Sequence, residues 1–313
     1  MTNQQVAVLG AGIMGHGIAQ LYAMANYQVA LYDISHDALN KGIHHIQESL
    51  KHFSTIGLIA PEKISSILAN IHPTTSIEEA VTEAVIITEA APEILSLKYD
   101  LFKQIEQFAS IDAIIASNTS SFAVEKLAEG IQHKERFVIT HFFNPAQIVP
   151  LVEILGNHQT PKEVLDRVKQ MMQAIDKEPV VLLKDKPGFI ANRLQAALAR
   201  EALSLLEEGV ADAHSIDTAI TAGPGFRWAF IGPLETADFG GLDTWARVIE
   251  NLAPTLNKSE HAPQSITELV HKGALGVKTG AGIYSYTPDS IANKTTQRDI
   301  NFLKLMKLKQ SIE

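Results

Sequence analysis

The sequence predicts an α/β protein in two parts: a domain built on a mostly parallel β-sheet, followed by an all-α domain. In the first two thirds of the 313 residues, short apolar runs alternate with helix-length stretches. Strands that alternate with helices form βαβ units, and their strands run parallel. Beyond residue 188 the apolar pattern stays helical, and no convincing strand follows. We therefore expect a sheet domain over residues 1–185 and a helical domain over residues 186–313.

Short apolar runs give the predicted strands, at residues 6–9, 29–32, 85–89, 113–116, 137–141, 149–155 and 179–183. The loop between 137–141 and 149–155 is too short for a helical crossover, so we expect this pair to be antiparallel. Residues 37–70 are too long for a simple connection and predict a helical excursion, with Pro61 at the start of its second helix. The predicted helices cover 16–26, 37–53, 61–68, 97–108, 189–209, 213–221, 242–252, 265–272 and 298–309.

Composition excludes several classes of protein. The formal net charge is −9, whereas a general nucleic-acid binder needs a concentrated basic face. There is no cysteine, which excludes disulfides and thiolate catalysis. No apolar run approaches the roughly 18–20 residues of a membrane helix, and the start of the chain does not resemble a secretion signal. We expect a soluble, cytoplasmic protein without nucleic-acid or membrane partners.

A glycine-rich turn follows the first predicted strand directly. Gly10, Gly12 and Gly15 are spaced as G-x-G-x-x-G, with Ile13 and Met14 between them, and a helix opens at once. The first glycine permits a tight turn, the second lets the backbone approach a pyrophosphate, and the third lets helix and strand pack closely. The helix N-terminus then offers free N–H groups to the phosphates. This segment predicts a dinucleotide site.

The second predicted strand ends next to an acidic residue. Asp33 lies 23 residues after Gly10, where a carboxylate would bind the adenosine ribose 2′-hydroxyl. Ile34 follows it, so no cation is available there for the 2′-phosphate of NADP. The sequence therefore favours NAD as the cofactor.

Five further segments stand out: two follow or end predicted strands, one lies within the predicted strand 149–155, one opens the helical domain, and one lies later in that domain. They are 117–121 (SNTSS), 141–145 (HFFNP), 150–154 (PLVEI), 187–194 (PGFIANRL) and 279–284 (TGAGIY). Together with the glycine-rich turn, they make residues 5–286 similar to the L-3-hydroxyacyl-CoA dehydrogenase family. That resemblance implies a Rossmann-type N-terminal domain and a helical C-terminal domain that forms homodimers.

The resemblance also assigns catalytic roles. His141 matches the family's catalytic histidine, and an imidazole that titrates near neutrality suits a base for the hydroxyl proton. Glu153 matches the glutamate that orients this imidazole, and a carboxylate buried in an apolar strand needs such a partner. Ser120 and Asn192 match polar residues that hold the reacting oxygen. No metal is expected, because hydride transfer to NAD needs none; His44, His45 and His52 are interpreted as exposed helix positions.

Four more residues match the family's cofactor contacts. Ala90 ends a predicted strand at the carboxyl edge of the sheet, where doubly wound sheets bind ligands, and Asn118 follows the next strand. Glu93 and Lys98 lie on the loop and helix after Ala90. For Glu93 and Lys98, a solvated helix face is the alternative interpretation.

Two departures from the family pattern concern the substrate. Ser49 matches a residue of the helical excursion that contacts CoA, but a family lysine further on aligns with Ile56, and Lys51 replaces it only approximately. Arg227 precedes the GPLE segment, where the usual pattern lacks an arginine. This feature is similar to the lambda-crystallin/L-gulonate 3-dehydrogenase and carnitine 3-dehydrogenase branches. Their substrates are free carboxylates, which an arginine binds in a bidentate manner; a structural ion pair is the alternative role for Arg227.

Three functions remain open from the sequence. The first is oxidation of a short-chain 3-hydroxyacyl-CoA, such as 3-hydroxybutyryl-CoA, with NAD. The second is oxidation of a free 3-hydroxy acid of the L-gulonate or carnitine type, with Arg227 binding the carboxylate. The third is a non-enzymatic NAD-binding sensor, against which the presence of Ser120, His141, Glu153 and Asn192 together argues.

Overall fold

The computed structural model describes residues 4–312 and divides the chain into two compact units. Residues up to Ile190 form the first unit together with residues from Thr296 onwards, and Ala191–Thr295 form the second. The first division lies five residues after the sequence-based boundary at 185. The return of the C-terminal segment to the first unit differs from the sequence interpretation, which assigned it to the helical domain. Its Leu303 is fully buried in a cluster with Phe53 and Ile148.

An eight-stranded sheet forms the centre of the first unit, in the order β3-β2-β1-β4-β5-β6-β7-β8. The strands are β1 Gln5–Leu9, β2 Gln28–Tyr32, β3 Ile71–Thr74, β4 Ala84–Glu89, β5 Ile114–Ser117, β6 Phe137–Phe142, β7 Leu151–Gly156 and β8 Glu178–Val181. All neighbours pair in parallel except β6 and β7, which are antiparallel. This confirms the mostly parallel, Rossmann-type sheet and its one antiparallel pair.

The helices of the first unit cover both faces of the sheet. They are α1 Gly15–Met24, α2 His36–Thr55, α3 Lys63–Ala69, α4 Ile77–Val81, α5 Leu95–Phe108, α6 Val124–Ala128 and α7 Lys162–Ala174. Successive side chains of a strand point to opposite faces. Accordingly, Val6 and Val8 of β1 belong to one buried cluster, and Ala7 and Leu9 belong to another. The site described below lies at the carboxyl edge between these two packed layers.

The second unit is helical and has almost no buried interior of its own. Its helices are α8 Ala191–Glu207, α9 Ala213–Ala222, α10 Pro224–Trp228, α11 Pro233–Gly240, α12 Leu242–Leu252 and α13 Gln264–His271. Within residues 191–295, the buried residues are the polar Ser204 and Thr236. Helix α14, Pro288–Ile312, begins here and is longer than the predicted 298–309. No helix among residues 4–312 has the length and apolar character needed to cross a membrane.

Candidate active site

The glycine-rich turn has the geometry that a pyrophosphate site requires. Gly10 has φ +107°, in the left-handed region that favours glycine, and a Cβ there would lie 2.7 Å from the Ala90 carbonyl oxygen. A Cβ on Gly15 would lie 1.7 Å from the Gly10 carbonyl oxygen, so only glycine lets α1 start this close to β1. At Gly12 a Cβ would meet no atom within 4 Å, which leaves open space beside the backbone. The turn therefore fits a dinucleotide.

A histidine that the sequence interpretation did not use also supports this turn. His16, in the first turn of α1, donates its Nδ1–H to the Gly12 carbonyl oxygen at 2.7 Å. Burial lowers the pKa of His16. A ring contact joins it to His45 of α2, with centroids 5.2 Å apart. The contact attaches the helical excursion to the glycine-rich turn.

Asp33 stands beside the turn, as predicted for a ribose-binding acid. Its Oδ2 accepts a hydrogen bond from the Ala11 N–H at 2.9 Å, and its Oδ1 accepts one from the Ser35 N–H at 3.0 Å. These bonds fix the carboxylate at the end of β2. Ile34, the next residue, is exposed.

A cavity of about 180 Å³ opens between Gly10 and Asp33 on one side and the start of α5 on the other. It is mostly apolar, which suits the flat face of an adenine ring. Its lining includes Leu9, Tyr32, Ala91, Pro92, Leu97 and Leu101. The first unit therefore has a turn with the geometry for a pyrophosphate and, beside it, a mostly apolar cavity that suits an adenine ring.

The predicted catalytic pair is formed across the antiparallel strands. His141 of β6 and Glu153 of β7 are direct cross-strand partners. The imidazole Nδ1 lies 2.9 Å from Glu153 Oε2, and both side chains are buried. A carboxylate can only accept a hydrogen bond, so Nδ1 carries the proton and Nε2 is left to accept one. This is the tautomer that a general base requires.

Neighbouring groups hold the pair in place. The His141 ring packs against Phe143 and Phe189, with centroids 4.4 and 5.4 Å away. The other carboxylate oxygen of Glu153, Oε1, accepts a hydrogen bond from the Ile190 N–H at 2.9 Å. Packing on the ring and a second bond on the carboxylate restrict both side chains, so the pair is organised before substrate binds.

A buried charge network lies beneath the loops that follow β4 and β5. Lys98 is nearly inaccessible, and its Nζ contacts Glu89 Oε1 and Oε2 at 2.7 and 2.9 Å and Glu93 Oε2 at 3.0 Å. Lys98 therefore does not lie on a solvated helix face. Glu89, which the sequence interpretation missed, also accepts hydrogen bonds from Ser117 and from the Ala91 N–H. A direct contact of Lys98 with the cofactor stays a prediction.

Glu93 organises the loop that carries Ser120. Its Oε1 accepts hydrogen bonds from the Thr119 hydroxyl, from the Ser121 hydroxyl at 2.8 Å and from the Ser120 N–H at 3.2 Å. Burial alone would raise the pKa of Glu93, but the bond from Thr119 and the charge of Lys98 outweigh it and lower this pKa. An ionised Glu93 thus holds the loop, and Ser120 itself is exposed.

Asn118 connects the ends of two neighbouring strands. Its N–H donates to the Glu89 carbonyl at 2.7 Å, and its Oδ1 accepts from the Phe142 N–H at 2.8 Å. Through Asn118, the end of β5 lies beside the end of β6, one residue from His141. Asn118, Ser120 and His141 therefore belong to the same edge of the sheet as Gly10 and Ala90.

The predicted substrate residues of the helical excursion lie at the C-terminal half of α2. Ser49 is half-buried, and Lys51 forms an ion pair with Glu48 at 2.7 Å. The chain lacks a cationic side chain at Ile56, but Lys307 of α14 donates its Nζ to the Ile56 carbonyl at 2.9 Å. A lysine distant in sequence thus lies against the backbone of Ile56.

The remaining predicted residues belong to the second unit. Asn192 lies in the first turn of α8 and is half-buried. Arg227 lies in the last turn of α10 and is exposed. Within residues 4–312 its guanidinium has no hydrogen-bond or ion-pair partner, and the role of Arg227 stays a prediction.

Hydride transfer needs a dinucleotide and a base for the alcohol proton, and one edge of the sheet offers a place for each. The class is that of the NAD-dependent dehydrogenases that act on a CH–OH group. The family model for the NAD binding domain of 3-hydroxyacyl-CoA dehydrogenase matches residues 5–186, and the model for its C-terminal domain matches residues 188–286. The chain belongs to the 3-hydroxyacyl-CoA dehydrogenase family.

Relatives with different substrates resemble the chain to a similar degree. It is 35% identical to the mitochondrial hydroxyacyl-coenzyme A dehydrogenase of Homo sapiens, over 90% of this chain and 91% of the human protein. It is 35% identical to the L-carnitine dehydrogenase of Oceanobacillus iheyensis, over 89% and 91%. It is 32% identical to the 5-formyl-3-hydroxy-2-methylpyridine 4-carboxylate 5-dehydrogenase of Mesorhizobium japonicum, over 91% and 92%.

Solved structures that resemble the chain also include a hydroxybutyryl-CoA dehydrogenase and a dehydrogenase of a free carboxylate. A structure of 5-formyl-3-hydroxy-2-methylpyridine 4-carboxylic acid 5-dehydrogenase superposes with a TM-score of 0.91 at 30% identity, covering 98% of both chains. The (S)-3-hydroxybutyryl-CoA dehydrogenase of Ralstonia eutropha superposes with a TM-score of 0.75 at 36% identity, covering 91% of this chain and all of the other. These similarities support an NAD-dependent oxidation of a 3-hydroxy compound.

Proposed function

We propose that the protein oxidises the 3-hydroxyl group of a short-chain 3-hydroxyacyl-CoA to a ketone, with His141 as the base. The observation that carries this proposal is the buried contact of 2.9 Å between His141 Nδ1 and Glu153 Oε2. When bound, NAD supplies the nicotinamide that accepts the hydride. The residues of the chain bind and orient the reactants and take up the proton.

His141 removes the hydroxyl proton through Nε2. With Nδ1–H donated to Glu153, the Nε2 lone pair is available. As Nε2 takes the proton, the imidazole becomes cationic, and the adjacent carboxylate stabilises that charge. Ser120, on the loop fixed by Glu93, and Asn192, at the start of α8, are proposed to hydrogen-bond the reacting oxygen and hold it in line with the nicotinamide.

Two features of the first unit support a CoA-bearing substrate. Ser49 occupies the matching position on α2. The Nζ of Lys307 lies against the Ile56 carbonyl, where it provides a cation for a phosphate of CoA. The relatives that are hydroxyacyl-CoA dehydrogenases support the same substrate class.

A free hydroxy acid is the second candidate substrate. The specific observation in its favour is Arg227, whose guanidinium has no partner among residues 4–312 and could clamp a carboxylate. The similarity to an L-carnitine dehydrogenase points the same way. The two candidates share the His141–Glu153 chemistry and differ in which cation recognises the substrate.

The base assignment is tested by H141A and E153Q. We expect H141A to lower kcat by about 10²–10⁴, the usual contribution of a positioned acid–base group. We expect E153Q to lower kcat by a smaller factor, because an amide keeps the shape but cannot stabilise the imidazolium. Stopped-flow and steady-state NADH absorbance measure both effects.

His158 provides a matched control for this experiment. Its Nδ1 lies 2.7 Å from Glu125 Oε2, so it forms the same kind of pair on an exposed surface. We expect H158A to change kcat by less than about twofold, the scale of surface substitutions. A correctly folded H141A that keeps its full rate would refute the base assignment.

The substrate is tested by a panel combined with two single variants. The panel contains 3-hydroxybutyryl-CoA, free 3-hydroxybutyrate, L-gulonate and L-carnitine, with NADH formation as the readout. We expect turnover of the CoA thioester, with a KM raised about tenfold in K307A and unchanged in R227A, since a charge-assisted hydrogen bond contributes about 1.5–3 kcal/mol. If only the free acids are turned over, and if KM rises in R227A but not in K307A, the second candidate is established instead.

A further inference from the structure

Lys177 is a buried lysine outside the catalytic machinery described above. It precedes β8 and is 5% exposed. Its Nζ donates hydrogen bonds to the Ala146 carbonyl at 2.7 Å and to the Val149 carbonyl at 2.8 Å. Burial lowers its pKa to about 7, although the neighbouring Asp176 carboxylate opposes this shift. An amine is costly to bury unless it is hydrogen-bonded, so the two carbonyls that it binds indicate the role of Lys177.

Both carbonyls belong to residues 143–150, which we call the turn segment. The turn segment joins the end of β6 to the start of β7, and these strands carry His141 and Glu153. In an antiparallel pair, the connecting turn helps to fix which residues face each other, and a slip of one residue would move a side chain to the other face of the sheet. The conformation of the turn segment therefore bears directly on the contact between His141 and Glu153.

The turn segment is also held on its other sides. Ile148 is buried in a cluster with Phe53 of α2 and Leu303 of α14. Gln147 packs so closely on α1 that a Cβ on Gly17 would lie 2.5 Å from its Oε1. These contacts pack the segment against three helices, but apolar packing does not fix the orientation of a peptide group. The hydrogen bonds from Lys177 are directional, and they fix the orientation of the Ala146 and Val149 peptide groups.

We propose that Lys177 is a positioning residue for the reaction: by binding the Ala146 and Val149 carbonyls, it holds the turn segment so that Glu153 keeps the His141 imidazole in its catalytic orientation. This inference rests on the proposed role of His141. Lys177 does not touch the substrate. It acts through the turn segment. Removal of its amine therefore lowers kcat more than it weakens the binding of NAD.

The first test is K177M, which keeps the length of the side chain but removes its donors. We expect kcat to fall by about 10–100-fold, the scale of a misplacement by a fraction of an ångström to one ångström. We expect the KM for NAD to stay within about twofold, because the glycine-rich turn is not altered. K309M is the matched control, since Lys309 donates to Glu178 at the surface nearby, and it keeps the wild-type kcat.

A second variant separates the amine from the packing. The chain contains no cysteine, so K177C carries a single thiol that 2-bromoethylamine converts into a sulfur-containing lysine isostere. Ethyl iodide gives an apolar side chain without a donor. We expect the aminoethylated protein to recover most of the wild-type kcat and the ethylated protein to remain as slow as K177M. Both modified proteins derive from K177C and differ in whether the side chain carries the amine, so their comparison does not need K177M.

The third readout is independent of turnover. The proton NMR signal of the His141 Nδ1–H, identified by its absence in H141A, reports on the bond to Glu153. We expect this signal to shift or broaden in K177M and to be unchanged in K309M. An unchanged signal together with an unchanged kcat in K177M, or failure of the aminoethyl group to restore the rate, would overturn the proposal. Full activity of H141A would refute the proposed function, whereas the NMR comparison would still decide whether Lys177 positions the pair.

Discussion

At the scale of single residues, the carboxylate of Asp33 is held in position for the ribose role that the sequence predicts. Its two carboxylate oxygens accept hydrogen bonds from the Ala11 and Ser35 N–H groups, so the side chain is fixed before a ribose arrives. A carboxylate at this position repels the 2′-phosphate of NADP, and the exposed Ile34 beside it offers no compensating cation. We therefore propose that the choice of NAD over NADP depends on Asp33 and Ile34.

The corresponding prediction concerns D33A. We expect the dissociation constant for NAD to rise about 10–100-fold, as the loss of a hydrogen bond to a charged group costs roughly 1.5–3 kcal/mol. The preference for NAD over NADP should shrink as well, because the repulsion disappears. Isothermal titration with both cofactors measures this. D37N, which alters an exposed aspartate in the first turn of the following helix α2, serves as the control. An unchanged NAD affinity in D33A would exclude the ribose role.

Other site residues could not be assigned from the sequence alone. Glu89 ends an apolar strand, where an acid is also common at a solvated edge, and only the structure shows Lys98 folded back onto it nine residues later. Lys177 gives no signal at all in the sequence, because its partners are backbone carbonyls about thirty residues earlier. Buried charges are recognised by their partners, and those partners are set by tertiary structure.

At the scale of elements, the strands with continuous apolar runs could be predicted, and β3 could not. Ile71–Thr74 contains Pro73, which argues against a strand when only the sequence is known. The structure tolerates this proline because β3 is the edge strand of the sheet and pairs with β2 alone. In an edge strand, the backbone N–H groups on one side need no partner strand. The sequence of such a strand can therefore lack the apolar pattern from which strands are predicted.

The antiparallel pair β6–β7 was predictable in direction but not in register. The short connection excludes a crossover and so fixes the direction. The alignment of His141 with Glu153, rather than with a neighbour, depends on how the turn segment is anchored by Lys177, Ile148 and Gln147. Ile148 and Gln147 contact α1, α2 and α14, and Lys177 precedes β8, so only the folded chain brings these groups together.

At the scale of the whole molecule, the second unit poses a packing problem. Helical domains are stable when the apolar faces of their helices cover one another. Within residues 191–295, however, only two residues are buried, and both are polar. Leu234 and Phe239 are 84% and 78% exposed, and further large apolar side chains accompany them. Apolar surface on this scale marks an interface. We propose that a second copy of the chain covers it, as the family resemblance implies.

The prediction is a homodimer held together by the second unit. Sedimentation or light scattering should give twice the 34.1 kDa of one chain. F239D should shift the protein towards the monomer, because a carboxylate placed in an apolar interface loses its hydration without gaining a partner. L183D, at an exposed leucine of the first unit, is the control. A wild-type protein that is monomeric at micromolar concentration would contradict the proposal.

The return of α14 to the first unit has a consequence for how the protein is made. Leu303 completes the cluster with Phe53 and Ile148, yet translation at roughly 5–20 residues per second delivers it roughly 10–30 s after His141. Throughout that interval the nascent sheet exists without the side chain that supports the turn segment. A chain released during synthesis of the second unit thus carries the cofactor turn and both members of the catalytic pair, but lacks this packing. We therefore expect full activity to appear only after Leu303 has joined this cluster.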